Sequence, residues 1–163
     1  MLTTLVVGIA LGIIAAVGTR QVMQRILLSR LRYGVAKLSV GDFGALLASY
    51  HEDAVLHFHE GQHRWSGVYR GRAEIERFLT EFVDAGIVGE IRDVWTGGPP
   101  WSMTLVIRFD DHASADGETI YANRAVLWAR THWGKIVEQR DFYEDTQRII
   151  DFDRQLSSRE PGH

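Results

Sequence analysis

The chain has 163 residues, with 18 Lys and Arg against 21 Asp and Glu, 16 Gly, 3 Pro and no Cys. A hydrophobic share of 45% beside 24% charged residues is enough for a core and excludes wholesale disorder, and the length fits one domain with an appendage. The lack of cysteine excludes a disulfide framework, a thiolate zinc site and a Cys nucleophile. Charge is unevenly spread: residues 1–38 hold Arg20, Arg25, Arg30, Arg32 and Lys37 and no acid, whereas residues 39–163 carry a net −8. An acidic body is a poor surface for a phosphate backbone, so nucleic acid is not an expected partner.

Residues 2–19 form an uncharged run of 18. As a helix it would reach about 27 Å, close to the ~30 Å hydrocarbon core of a bilayer, with Arg20 at its edge. A secretory signal is the competing reading, but no Lys or Arg precedes the run and Ala16-Val17-Gly18 only loosely matches a cleavage site. The expectation is therefore a single-pass transmembrane anchor over 1–20. The basic residues after it would keep the globular part cytoplasmic, and membrane lipid would be a partner through the helix. Gly8 and Gly12 make a G-x-x-x-G spacing that permits close helix approach, although small residues are common in membrane helices for blander reasons.

Residues 21–38 carry a 3–4 apolar spacing and read as a basic juxtamembrane helix, followed by a globular domain over 39–156 and a polar tail over 157–163. Asp42 can cap a helix over Phe43–Tyr50. Asp53–His59 alternates as a strand, with His57 and His59 on one face and Leu56 and Phe58 on the other. A glycine-containing loop leads to an amphipathic helix over Ala73–Phe82. Strands are then expected over Val88–Thr96, Trp101–Phe109, Thr119–Thr131 and Lys135–Tyr143. Between them lie a turn at Gly97–Pro100, a polar hairpin loop over 110–117 and a turn at Trp133-Gly134. A last helix covers Asp145–Gln155. Helices first and antiparallel strands afterwards make an α+β fold with helices on one sheet face.

Three stretches in that order, GDFGALLASYHEDAVLHFHEG, GVYRGRAEIERFL and GKIVEQRDFYEDT, resemble the SnoaL-like polyketide cyclases of the nuclear transport factor 2-like superfamily. The resemblance covers about residues 33–150. It implies a cone: a curved antiparallel sheet wrapped around N-terminal helices and a deep pocket, often in a homodimer. The family reuses that pocket for isomerases, cyclases, epoxide hydrolases and non-catalytic roles, so side chains must decide the activity.

Period-2 alternation puts Val137, Gln139, Asp141 and Tyr143 on one face of the last strand and Ala122, Arg124, Val126 and Trp128 on one face of the strand before it. If both faces line the cone, Arg124 and Asp141 meet, with the carboxylate favoured by the cation. Epoxide hydrolases of the superfamily add a second acid two residues after that arginine. Here Val126 stands there, which disfavours the reaction. His57 and His59 are candidate general bases beside Asp141 and Arg124. H-x-H-x-x-x-H, completed by His63, is no established ligand spacing, and neither a metal nor another cofactor is expected. Tyr69, Trp128 and Tyr143 are candidate substrate contacts, while most of the five tryptophans read as core or dimer packing. The expected occupant is a small, largely apolar molecule undergoing isomerase-like or cyclase-like proton transfer. The alternative is a non-enzymatic binding or assembly module at the membrane.

Overall fold

A computed structural model describes the backbone of residues 2–159 and the side chains of residues 18–159. The chain runs α1 (Leu2–Leu38), α2 (Gly44–Leu47), β1 (Tyr50–Phe58), β2 (Gly67–Arg70), α3 (Gly71–Asp84), β3 (Val88–Gly97), β4 (Thr104–Ala115), β5 (Glu118–His132), β6 (Lys135–Tyr143) and α4 (Thr146–Arg159). The six strands form one sheet in the order β2-β1-β6-β5-β4-β3. All neighbours are antiparallel except β1 and β6, which run parallel, so the sheet is mixed where the sequence suggested a purely antiparallel one. The parallel join follows from topology: β1 precedes the helix α3, and β6 returns beside it after the β3–β6 meander.

Alternation sets the two faces of the sheet. Leu56 and Phe58 of β1, Leu105 and Ile107 of β4, and Ala125 and Ala129 of β5 are buried on the concave side, where they meet α1, α2 and α3. From α3 come Ile75, Phe78, Leu79 and Phe82, at the spacing of one helical face. Two hairpins close tightly because both central residues take positive φ: Asp116 and Gly117 between β4 and β5, Trp133 and Gly134 between β5 and β6. Gly89 has a different reason. A Cβ there would stand 2.0 Å from the Phe109 ring, so only glycine lets that ring lie against β3.

The chain departs from the expected elements in three places. The helix expected over Phe43–Tyr50 is only Gly44–Leu47, and Tyr50 already opens β1. The four-residue β2 sits inside what read as a loop. Residues 110–115 continue β4 rather than forming a polar loop, because Asp111 and Ala113 extend the inward period begun by Leu105, Ile107 and Phe109.

The expected membrane anchor, with its single-pass cytoplasmic placement, is corrected. Among the described residues no helix is long and apolar enough to cross a membrane. The side chains of residues 2–17, with the Gly8 and Gly12 spacing, lie outside the described residues. Residues 21–38 do not form a separate juxtamembrane helix: they continue α1, and Leu27, Leu31, Val35 and Leu38 are buried in the core of the domain. Burial of that stripe against the sheet is a use for the helix that the local charge pattern did not reveal.

Candidate functional site

The concave face of the sheet and the helices over it enclose a cavity of about 70 Å³. Leu31 and Val35 of α1 roof it, Phe58 and Phe82 stand in its wall, and Ile107 and Leu127 form its floor. Among the described residues its polar lining is Tyr50, Gln139, Asp141 and Tyr143. Three of these four come from β6 by simple alternation, and their outward neighbours Arg140 and Phe142 are exposed. The fourth, Tyr50, enters from the start of β1, next to a register shift in the β1–β6 pairing.

A hydrogen-bond chain orders the polar end. Tyr50 Oη donates to Gln139 Oε1 at 2.6 Å, and Gln139 Nε2 donates to Asp141 Oδ1 at 2.8 Å. Asp141 is 7% exposed. Burial pushes its carboxyl up to about 7, the Gln139 hydrogen bond works against that, and the nearby Asp111 charge adds to it. A carboxyl titrating at the working pH can both take and give a proton. Burial also raises the Tyr50 and Tyr143 hydroxyls above their usual range, with Asp141 reinforcing the effect at Tyr50 and Asp111 at Tyr143, so both phenols stay protonated.

Asp111, which the sequence reading placed in a loop and passed over, is the second buried acid. Tyr143 Oη donates to its Oδ2 at 2.9 Å and Tyr121 Oη to the same atom at 3.3 Å. Burial pushes Asp111 up to about 6 despite both hydrogen bonds. The signal that could have found it is the apolar alternation of β4, which runs on past Phe109 and places the next carboxyl inward.

Of the residues singled out in the sequence, Asp141 and Tyr143 line the cavity and the others do not. Arg124 does not meet Asp141. Register pairs Asp141 with Leu127, so the inward set on β5 is odd-numbered and Arg124 lies on the outer face, where its guanidinium pairs with Glu144 at 2.8 Å. Val126 shares that outer face and is 42% exposed, so it does not occupy the cavity position on which its comparison with epoxide hydrolases rested. Among the described residues the lining contains no arginine, so no arginine–carboxylate pair is assembled there. Trp128 is half-buried on the outer face between Val106 and Arg140. His57, paired with Val68 and Arg140, also faces away from the cavity. Tyr69 is buried, but its hydroxyl donates to the Trp65 carbonyl at 2.9 Å. Among the tryptophans only Trp65 is a core residue; Trp95, Trp101 and Trp133 are more than half exposed.

His59 lies just beyond β1, behind the Phe58–Tyr143 wall, with its ring 5.1 Å from that of His63. Burial lowers the proton affinity of both imidazoles. Glu60 opposes this at His59; at His63 the neighbouring imidazole adds to it, while Asp153 and the His59 backbone oppose it.

The comparisons with known proteins agree with this architecture. Residues 32–139 match the SnoaL-like domain model. The chain belongs to the SnoaL-like domain family. Among solved structures it is similar to Bal32a, from a soil-derived mobile gene cassette, at 18% identity and TM-score 0.65, over 78% of this chain and 96% of that one. TerC, co-crystallised with polyporic acid, is similar at 19% identity and TM-score 0.62, over 78% and 98%. An NTF2-like protein from Burkholderia xenovorans is similar at 16% identity and TM-score 0.55, over 78% and 95%. No curated protein matches the sequence. At these identities the structural likeness carries the fold and nothing finer.

Proposed function

We propose that this SnoaL-like domain binds a small, largely apolar carbonyl compound in its cone and moves a proton on it, as an isomerase or cyclase does, with Asp141 as the acid/base. The observation that carries the reading is a single hydrogen-bonded carboxyl, pushed up to about 7, at the polar end of an otherwise apolar cavity. As carboxylate, Asp141 takes a proton from the carbon beside the carbonyl; as acid, it returns that proton elsewhere on the same skeleton. Gln139 fixes the carboxyl orientation, and Tyr50 fixes Gln139. Tyr143, kept neutral, is the lining phenol that answers the developing oxyanion once its hydroxyl turns from Asp111 Oδ2, to which it otherwise donates. That a solved relative in fold carries polyporic acid supports an organic occupant of this kind of cone.

The site set is thus Asp141 with Tyr50, Gln139 and Tyr143. Arg124, His57, Tyr69 and Trp128 stand outside it. The chain also pairs with a second copy: Phe142 and Val126 are 58% and 42% exposed side by side on the outer sheet face, flanked by paired charges that can re-pair across a two-fold axis.

The test is deuterium exchange into small cyclic enolisable ketones, β,γ-unsaturated ones included, in heavy water. Exchange catalysed by the native chain and lost in Asp141→Asn supports the reading. No exchange in either protein across the panel overturns it. The non-enzymatic alternative draws on one observation: about 70 Å³ is below the roughly 300–1,000 Å³ of small-molecule sites, so anything beyond a few heavy atoms must displace lining side chains.

A further inference from the structure

The loop between β1 and β2 holds a cluster of polar groups without partners, separate from the cone. His63 is 8% exposed. Neither of its ring nitrogens makes a hydrogen bond of ordinary geometry, nor do His59 Nε2 and the Trp65 indole nitrogen. Unpaired buried nitrogens are costly, and two of these four, His59 Nε2 and His63 Nε2, can each offer a lone pair to a cation. The loop around them is firmly held: Gly61 N–H donates to Ser66 Oγ at 3.0 Å, Ser66 N–H donates to the His63 carbonyl at 3.1 Å, and Arg64 is latched to Asp153 of α4.

The two imidazoles converge on one space. A Cβ on Gly61 would lie 3.2 Å from His63 Nε2 and 3.3 Å from His59 Nε2, so both nitrogens border the volume that this glycine leaves empty. The ring centroids are 5.1 Å apart. Two imidazoles bound cis on one cation, at about 90–110° and with metal–nitrogen distances of about 2.0–2.1 Å, would have their ring centres roughly 4.5–5 Å apart, whether the cation is tetragonal or tetrahedral. Glu60 adds negative charge beside His59, which favours a cation over an anion.

We propose that His59 and His63 bind a divalent transition cation of the copper–zinc class through their Nε2 atoms, in the space over Gly61. Imidazole nitrogen suits that class, and the affinity order of first-row cations makes Cu²⁺ the tightest occupant. No third His, Cys, Asp or Glu completes the set among the described residues. The remaining coordination positions therefore belong to water or an exogenous ligand, and the site is an open one. It stands behind the Phe58–Tyr143 wall rather than in the cone, so it does not depend on the proton-transfer reading.

The experiment is titration of the full, tag-free, metal-stripped chain with Cu²⁺ alone, followed by calorimetry and by electron paramagnetic resonance. The expected result is one tight equivalent whose spectrum reports two imidazole nitrogens. His63→Ala should weaken that equivalent by more than about tenfold, the scale seen when even the support of a ligand is lost. Gly61→Ala keeps both histidines and fills the space between them, and it should weaken binding to the same degree. His112→Ala, exposed on β4, should leave binding unchanged. Absence of a tight equivalent in the native chain would overturn the proposal. So would a tight equivalent that survives Gly61→Ala in a variant whose near-ultraviolet circular dichroism is native.

Discussion

The two faces of β5 and β6 make an instructive contrast, because adjacent residues of the same strands meet opposite electrostatic conditions. On the outer face Arg124 pairs with Glu144, and Arg130 and Arg140 both pair with Glu138. These guanidiniums are about half exposed, and water screens what the pairs gain. One residue away on each strand, Asp141 and Asn123 turn inward, and Asp141 is hydrogen-bonded by Gln139 in a mostly apolar cavity with no cation beside it among the described lining residues. The outer face carries the paired charges, yet the proposed chemistry rests on the few polar groups inside. A carboxylate in water with an arginine beside it is settled in one protonation state, whereas a buried one without a cation is poised between two.

The sharpest way to break this contrast is on the inner face. Asp141→Asn keeps the shape and removes the titrating proton, and it should lower any proton-exchange rate by about 10²–10⁴, the usual worth of a positioned acid/base. The measurement is exchange by mass spectrometry, and a loss of less than a few fold would place the chemistry elsewhere. The next effect is structural. Leu31→Ala removes the roof over the cavity and should cost about 2–5 kcal/mol, read by urea denaturation. The same variant should bind a small hydrophobic dye more tightly than the native chain, because the space it opens joins the cavity.

The pH dependence follows in size. Asp141 releases its proton near 4 when unfolded and at about 7 when folded, so between these values the folded chain holds more protons. Stability therefore falls as pH rises from about 4 to 7, and Asp111 adds a fall of the same sign over a narrower span that ends at about 6. Asp141→Asn should gain on the native chain by up to about 3 kcal/mol between pH 4.5 and pH 8, measured by denaturation at both. An unchanged difference would show the carboxyl to be an ordinary one. On the outer face Phe142→Glu should abolish the proposed self-association in analytical ultracentrifugation without altering the pH profile. Arg124→Ala should be smallest of all, within about 0.5 kcal/mol of the native chain, since its pair with Glu144 is exposed. A large loss there would erase the distinction between the faces.

Much of this was legible from alternation alone. The last strand's Gln139, Asp141 and Tyr143 were grouped correctly on one face because that strand is short and the charged Glu138 and Arg140 alternate with them. The strand before it was not, since Arg124, Val126 and Trp128 mix polar and apolar residues as a dimer face does, and a functional-looking arginine was read inward. Only cross-strand register, with Leu127 opposite Asp141, resolves the choice, and register is a long-range property. Asp111 escaped because two acids, a histidine and a serine looked like a loop, although strand alternation ran through them. The segment 21–38 shows the same limit: its local charge suggested a juxtamembrane helix, while the packing of Leu27, Leu31, Val35 and Leu38 against the domain depends on contacts far away in sequence.

The central claim is that Asp141 is a carboxyl poised at neutral pH inside the cone. Carbon-13 NMR of the chain labelled at aspartate side-chain carboxyls measures this directly, with Asp141→Asn identifying the resonance. The account requires that signal to titrate with a midpoint near 7, and to move lower in Asp111→Asn as the neighbouring charge is removed. A midpoint near the usual 3.9, or one indifferent to Asp111, would contradict it.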